Sequence, residues 1–201
     1  MSKWDQLADD ATIAKTIAAL AANGFDAEVV ETLEDAKERV LELIPKGAEI
    51  MNNTSLTMDT IGVTKEVLES GKYNPVRITL MDPNADPRLK KKLGAAAEYS
   101  IGSVHAVTQD GHVLMASGSG SQIPGYAYGS DHVIWAVGTQ KIVKDTQEGI
   151  KRIYEHSLPL ENERAKKAYG VGSAVRRLLI FNEEKVPQRI HLIFVKQSLG
   201  F

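Results

Sequence analysis

The sequence predicts a single α/β domain over residues 1–201, with a mostly parallel sheet, helices on both sides of it and one inserted antiparallel hairpin. Short apolar runs alternate with amphipathic segments along the chain, a pattern typical of parallel strands joined by crossover helices. A length of 201 residues suits one hydrophobic core. Two apolar runs on either side of Asp110 and Gly111 are the usual signal of a hairpin.

The first helices are predicted from spacing and capping residues. Apolar residues recur every three or four positions from Leu7, and this pattern stops at Asn23, before a glycine that favours a helix end. Thr32 is placed to cap a second helix, with Asp35 three positions later and Pro45 at its end. A third helix is expected after a loop of asparagines and hydroxyl side chains, and a fourth is capped by Asp86 and begins near Pro87.

The strands are predicted from short apolar runs between these helices. Pairing outward from the Asp110–Gly111 turn sets Val107 opposite Leu114 and Ser103 opposite Gly118, in a hairpin that is apolar on both faces. The remaining predicted strands are 27–31, 48–51, 76–81, 132–138, 177–181 and 190–195, and the later predicted helices are 144–155 and 162–168.

The composition excludes several classes of protein. With 24 basic and 26 acidic side chains, the net charge of −2 provides no general attraction to nucleic acid or to an anionic membrane. No run approaches the roughly 18 apolar residues of a membrane span, and acidic residues near the start argue against a secretory signal, so a cytoplasmic location is expected. Cysteine is absent, which excludes disulfides, thiolate nucleophiles and cysteine-bound metal clusters, and no cofactor is predicted.

Known nucleotide, hydrolase and metal motifs are also missing. The run "GSGSQI" lacks the third glycine of a dinucleotide fingerprint, and no phosphate-binding Gly-Lys-Ser or Gly-Lys-Thr run is present. The glycines around Ser119 are immediate neighbours, unlike those of a serine hydrolase elbow. His105 and His112 are separated by roughly 13 Å of strand, too far to share an ion. The sequence identifies no catalytic residue.

Two polar loops follow predicted strands and form the candidate site. One is Asn52–Thr57, the asparagine–threonine loop, and the other is Ser117–Gln122, the glycine–serine loop. Loops at the carboxyl ends of parallel strands bind ligands, and hydroxyls, glycine amides and a helix start near Ser121 favour an anion. Two simpler interpretations stay open: a tight crossover, and a helix cap by Thr54 or Ser55. The predicted ligand-binding residues are Asn53, Ser55, Thr57, Ser103, Ser117, Gly118, Ser119, Gly120, Ser121 and Gln122.

The order of several segments resembles the LUD domain, the lactate-utilisation family. These segments are "SLTMDTIG" at 55–62, "GSVHAVTQDGHVLMASGSGSQ" at 102–122, "GSDHVIWAVGTQKIVKD" at 129–145, "PLENER" at 159–164 and "LGF" at 199–201. The resemblance implies a three-layer Rossmann-like fold, similar to that of sugar-phosphate isomerases, CoA-transferases and formyltetrahydrofolate cyclo-ligases. Members of that superfamily bind anionic or phosphorylated ligands at strand-end loops.

The candidate loops also differ from the family pattern. Ser55 and Thr57 match the first loop of the family, whereas Ser121 and Gln122 stand where its second loop commonly has asparagine and arginine. An arginine clamp for carboxylate or phosphate is therefore missing, unless Lys141 or Arg164 replaces it.

The resemblance leads to a prediction and an alternative. The predicted function is binding of a small anionic metabolite, an organic acid or a phosphorylated compound, with a link to lactate utilisation. The alternative is a non-catalytic subunit or assembly partner of an iron–sulfur oxidoreductase. Whether the protein is an enzyme stays open. A homo-oligomer is compatible with the sequence. Neither nucleic acid nor a membrane is an expected partner.

Overall fold

The computed structural model describes residues 2–201. Its strands are β1 (Asp26–Val30), β2 (Glu49–Asn52), β3 (Asn74–Pro75), β4 (Tyr99–Gly102), β5 (Ala106–Thr108), β6 (Val113–Ser117), β7 (His132–Gly138), β8 (Ile142–Val143), β9 (Arg177–Phe181) and β10 (Ile190–Val195). Its α-helices are α1 (Asp10–Ala22), α2 (Leu33–Glu42), α3 (Leu56–Thr60), α4 (Val63–Glu69), α5 (Arg77–Met81), α6 (Pro87–Ala95), α7 (Thr146–Arg152) and α8 (Leu158–Tyr169).

Two sheets organise the chain. The main sheet has six strands in the order β1-β10-β7-β4-β2-β3, and every neighbouring pair is parallel. The second sheet is mixed, in the order β8-β5-β6-β9. The predicted Rossmann-like α/β fold with a mostly parallel sheet is confirmed. The predicted hairpin, β5–β6, lies in the second sheet and is not inserted into the main one.

Apolar side chains cover both faces of the main sheet. On one face, α2, α3 and α4 pack over strand residues such as Ile50 and Ile193. On the other face, Trp135 and Phe194 contact α1 and the inner side of the second sheet. The outer side of the second sheet, including Leu114, packs against Ile153 at the end of α7. The second sheet therefore takes part of the layer that the sequence assigned to helices.

The predicted register of the hairpin is wrong by one residue. Ala106 lies opposite Leu114 and Val107 opposite Val113. The turn has three residues, closed by a hydrogen bond from the Thr108 amide to the His112 carbonyl, and its last residue, Gly111, has a φ of +84°. A three-residue turn that ends in the left-handed region is a common alternative to the two-residue turn assumed from the sequence.

The predicted strand at 76–81 is also wrong, because α5 occupies this segment and only the two-residue β3 precedes it. Val76 and Leu80 are four positions apart and pack together with Met51 and Ala97. Ile78, which an extended strand would place on the same face as these two, is 61% exposed. Apolar burial therefore follows the helical period in this segment.

The two predicted helices between residues 144 and 168 form one continuous helical segment. A π-helical turn, Ile153–Ser157, joins α7 directly to α8. Pro159 follows this turn within the first positions of α8, and proline lacks the amide hydrogen of an ordinary α-helical bond. The widened turn brings Ile153 and Ser157 to the wall of a cavity.

Several predicted helix ends are confirmed by their side-chain caps. Thr32 and Asp35 form a reciprocal capping box at α2. Asp86 caps α6, with Pro87 at its start. The first helix ends before Asn23 as expected, but begins at Asp10 rather than near Leu7.

Candidate functional site

Four neighbouring parallel strands end at the same edge of the main sheet. In spatial order they are β10, β7, β4 and β2. Asn53 directly follows β2, Ser103 directly follows β4, and Lys141 lies shortly after the end of β7. Ligands of open α/β sheets bind at this edge, because the loops that leave the strands gather there.

A cavity of about 530 Å³, here called the carboxyl-edge cavity, opens at this position. Its size lies within the usual range of small-molecule sites, roughly 300–1,000 Å³. The lining combines hydroxyl and cationic side chains, including Thr54, Thr57, Ser103, Ser157, Arg77, Lys141, Arg164 and Arg176.

Nine of the ten residues predicted from the sequence line this cavity. They are Asn53, Ser55, Thr57, Ser103, Ser117, Gly118, Ser119, Ser121 and Gln122. Gly120 is the exception. The two polar loops and Ser103 thus line one cavity, although the hairpin register that suggested their proximity is wrong by one residue.

The glycine–serine loop is held together by its own hydroxyl groups. Ser117 Oγ accepts a hydrogen bond from the Gly120 amide at 2.7 Å and donates one to Gln122 Oε1 at 3.0 Å. The Ser121 amide donates to Ser119 Oγ at 3.2 Å. The sequence suggested that the amides of this loop would be free to bind an anion. The amides of Gly120 and Ser121 instead form hydrogen bonds within the loop.

The turn after this loop does not provide the expected helix start near Ser121. Helical geometry begins only at Ile123 and ends with the π-helical turn Gly125–Gly129, so the segment is short. Gly120 has a φ of +83°, and a Cβ there would lie 2.9 Å from Arg177 Cδ. Its role is therefore to shape the loop beside Arg177 rather than to line the cavity.

In the asparagine–threonine loop, capping and cavity lining coexist. Ser55 Oγ accepts a hydrogen bond from the Met58 amide at 3.3 Å and caps α3, as the simpler interpretation of the sequence suggested. Thr54 Oγ1 accepts a hydrogen bond from Arg77 Nη2 at 3.0 Å. Thr57 is buried and directs its hydroxyl toward Lys141.

Lys141 is the central cation of the carboxyl-edge cavity and is only 2% exposed. Its Nζ donates to Ser103 Oγ and to the Val104 carbonyl, both at 3.1 Å, and lies 3.5 Å from Thr57 Oγ1. No acidic side chain within residues 2–201 hydrogen-bonds to it. Burial, reinforced by the positive charge of Arg152, lowers the pKa of Lys141 to about 7.

Arg152 is a second buried cation and lies behind the wall of the cavity. Its Nη1 donates to the His105 carbonyl at 2.6 Å and to Ser157 Oγ at 3.2 Å. Its Nε and Nη2 have no hydrogen-bond partner within residues 2–201. Burial lowers its pKa to about 10, and the charge of Asp5 opposes this shift.

His105 lines the same cavity in its neutral form. Its Nδ1 accepts a hydrogen bond from the Ala116 amide at 3.2 Å, which assigns the ring hydrogen to Nε2. Burial, together with the charges of Lys141 and Arg152, lowers the pKa of His105 to about 3. The ring can therefore donate a hydrogen bond from Nε2 at neutral pH.

Two arginines complete the cationic lining in different ways. Arg164 forms a bidentate pair with Glu161, at 2.6 and 2.8 Å, which raises the pKa of the guanidinium group. Arg77 donates to the Asn52 carbonyl and to Thr54, both at 3.0 Å. Arg164 is thus largely neutralised, whereas the partners of Arg77 among residues 2–201 are uncharged.

The segment after β10 returns to the cavity at Gly200. This residue has a φ of +61°, and a Cβ there would stand 2.6 Å from Thr57 Oγ1 and 3.3 Å from Lys141 Nζ. Gln140 Nε2 holds the segment by donating to the Leu199 carbonyl at 2.9 Å. Only glycine allows the chain to pass so close to Lys141.

Sequence reasoning assigned no role to three of these residues. In the sequence His105 is a candidate only for metal binding, Arg77 lies within an apolar run that suggests a strand, and Arg152 lies within the predicted helix 144–155. Lys141 was named only as a replacement for the missing arginine. One signal for it was available, since it closely follows the apolar strand 132–138 and polar residues at that position reach the ligand-binding edge.

Comparisons with known proteins identify the fold and the domain family. The family model of the LUD domain matches residues 13–195. Among solved structures, the chain is similar to a DUF162 family protein from Deinococcus radiodurans, with a TM-score of 0.57 and 12% sequence identity. That similarity covers 94% of this chain and 99% of the other. No curated protein matches the chain.

Two searches of residues 2–201 gave negative results. No helix in this range is long and apolar enough to cross a membrane. The same residues contain no cluster of three or more histidine, aspartate or glutamate side chains arranged to hold a metal ion.

Proposed function

Since the chain belongs to the LUD domain family, we propose that its carboxyl-edge cavity binds a small anionic metabolite, either an organic acid or a phosphorylated compound. One observation carries the proposal: Lys141 is buried at the cavity without an acidic partner within residues 2–201. A buried lysine that lacks a counter-ion is costly to protonate, and an anion in the cavity would supply a counter-ion for the protonated form.

The surrounding groups support an anionic ligand over a neutral one. Arg77 is positively charged and hydrogen-bonds to no acidic side chain in the described part of the chain. His105 lines the cavity with its Nε2 hydrogen available for donation. Hydroxyl groups of Thr57 and Ser103 lie beside Lys141 and supply further donors to oxygen atoms.

The proposal is tested by thermal unfolding with a panel of lactate, pyruvate, acetate, inorganic phosphate and a hexose phosphate. A ligand at one hundred times its Kd stabilises a protein by about 2.7 kcal/mol, or roughly 5–10 °C for a chain of this size. Lactate and pyruvate belong in the panel because the family resemblance suggests a link with lactate utilisation.

Two matched variants locate the site. Lys141→Met removes the cavity cation, whereas Lys144→Met removes an exposed lysine outside the cavity. We expect the ligand-induced shift to disappear in Lys141→Met and to persist in Lys144→Met, each measured against its own ligand-free protein. No stabilisation by any anion, or an equal shift in both variants, would reject the proposal.

The alternative role, as a subunit or assembly partner of an iron–sulfur oxidoreductase, has one structural feature in its favour. Ile78, Met81 and Tyr128 are 61%, 72% and 90% exposed. They belong to α5 and to the Gly125–Gly129 turn, both of which contact the basic helix α6. Exposed apolar side chains of this kind occur at protein interfaces. Copurification of a redox partner from native cells, lost in Met81→Glu, would favour this role.

A further inference from the structure

We propose that Lys141 is a covalent site, whose ε-amine attacks the carbonyl carbon of a 2-oxo acid in the carboxyl-edge cavity and forms an imine. This inference rests on the proposed function, because the same cavity must first hold the carboxylate of the acid. It goes further by naming the class of ligand and the atom that reacts.

The hydrogen bonds of Lys141 can be satisfied by the ammonium and by the neutral amine. A neutral amine has two hydrogens and one lone pair, whereas an ammonium has three hydrogens. Ser103 Oγ and the Val104 carbonyl, both at 3.1 Å, can accept two hydrogens from Nζ. Thr57 Oγ1 is farther from Nζ, at 3.5 Å. It can accept the third hydrogen of an ammonium, and in the neutral state its own hydrogen can turn toward the lone pair of the amine.

The charges that face Lys141 favour the neutral form. Arg152, from α7, is positively charged, and His105, next to β5, is neutral. Glu161, which lines the same cavity, is already paired with Arg164. The pKa of Lys141 is lowered to about 7, so a much larger fraction of this amine is deprotonated at neutral pH than of an exposed lysine.

The proposed step is balanced without an oxidant or a second reactant. A bond forms between Nζ and the carbonyl carbon, and the carbonyl oxygen takes up a proton to give a carbinolamine. The bond from carbon to that oxygen then breaks, and both amine hydrogens leave with the oxygen as water. The hydroxyls of Ser103 and Thr57 lie beside Nζ and can pass the protons between nitrogen and oxygen.

The cavity contains groups to orient a 2-oxo acid during this step. Arg77 and the Nε2 hydrogen of His105 are donors for the carboxylate, and both residues line the cavity with Lys141. A carboxylate held by these donors would place the adjacent carbonyl in the same cavity as the amine. Precise orientation of this kind is the main way in which a site accelerates an addition step.

The test is reductive trapping of the full-length protein with pyruvate and sodium cyanoborohydride. The cyanoborohydride reduces an imine to a stable secondary amine, and intact-mass measurement then shows one added 1-carboxyethyl group derived from pyruvate. Peptide mapping by tandem mass spectrometry identifies the modified lysine. We expect labelling at Lys141 to exceed labelling at the exposed Lys144 by about tenfold or more at pH 7, because the neutral fraction of Lys141 is far larger.

The controls separate this inference from the proposed function. Lactate lacks the carbonyl group, so it should stabilise the protein without forming an adduct. Lys141→Arg keeps the positive charge but should abolish trapping, while Lys144→Arg should leave it unchanged. If the variant fails to fold, the peptide map of the unmodified protein alone decides which lysine reacts.

Each result has a distinct meaning. Stabilisation by pyruvate and lactate without an adduct at Lys141 would overturn the covalent site and leave anion binding intact. Labelling spread evenly over surface lysines would also overturn it. A lack of stabilisation by any anion would instead reject the proposed function.

Discussion

Gly200 lies so close to Thr57 that a Cβ at position 200 would stand 2.6 Å from Thr57 Oγ1. The contact joins the last segment of the chain to the asparagine–threonine loop, and Lys141 Nζ lies at the same place. Gly200 therefore helps to shape a cavity that is otherwise lined mainly by residues from the middle of the chain.

The first prediction concerns this contact. Gly200→Ala should lower the free energy of unfolding by about 2–3 kcal/mol, through its left-handed backbone and the clash with Thr57. Gly47→Ala is the matched control, since Gly47 has a φ of +83° but nothing lies within 4 Å of its added Cβ. It should cost only about 1 kcal/mol. Chemical denaturation measures both, and equal losses would show that the close contact is unimportant.

The second prediction is that burial of Lys141 makes the free energy of unfolding depend on pH in the neutral to alkaline range. Its pKa in the folded protein, about 7, is below its ordinary value of 10.5. Between these values the unfolded chain binds a proton that the folded chain does not, so the free energy of unfolding rises with pH. Lys141→Met should stabilise the protein at pH 7 by about 2–4 kcal/mol, since the hydrogen bonds lost with Nζ offset part of the gain, and it should flatten this rise. Thermal unfolding from pH 7 to pH 10 tests this, and an unchanged slope would contradict it.

The third prediction concerns His105 at acidic pH. Its folded-state pKa of about 3 is below its ordinary value of 6.5, so between these values only the unfolded chain binds the proton. The free energy of unfolding should therefore fall as pH decreases through this range. In His105→Asn the side-chain oxygen can still accept the hydrogen bond from the Ala116 amide. This variant should therefore show a smaller decrease in the free energy of unfolding at acidic pH.

His105→Leu is the comparison for that variant. It leaves the Ala116 amide without its present acceptor, so it should be less stable than His105→Asn by about 1–2 kcal/mol at pH 7. Urea denaturation of both variants at pH 7 and pH 4 separates the two effects. Equal stability at pH 7 would argue against the hydrogen bond to Nδ1.

The fourth prediction uses the charge of Arg152. Because Arg152 lowers the pKa of Lys141, Arg152→Met should raise that pKa. The midpoint of pyruvate trapping should then move to higher pH. Arg152→Lys preserves the charge and should leave the midpoint nearly unchanged. Equal shifts in both variants would mean that packing, and not charge, sets the reactivity of Lys141.

Much of the fold could be predicted because its signals are local. The capping box of Thr32 and Asp35 depends on residues three positions apart, and the strand 132–138 is a continuous apolar run. The segment 76–81 was misjudged because a short apolar run suits both a strand and a helix. Its packing against Met51 and Ala97 decided between them, and no local pattern shows that contact.

The candidate site was predictable in position and not in chemistry. Polar loops after apolar strands were visible in the sequence, and nine of the ten chosen residues do line one cavity. The exception, Gly120, turns away because its positive φ serves the loop beside Arg177. The groups that give the cavity its electrostatic character were mostly missed, because a lysine or histidine in a sequence does not show how deeply it is buried.

By itself, the sequence determined the succession of strands and helices, most of their caps and the polar character of two strand-end loops. Tertiary structure alone decided that the hairpin joins a second sheet, and that Thr57, Ser103 and Gly200 surround one lysine. The physical reason is the range of the forces involved. Backbone capping and apolar periodicity act between neighbours in the chain, whereas desolvation of a charge depends on every segment that folds around it.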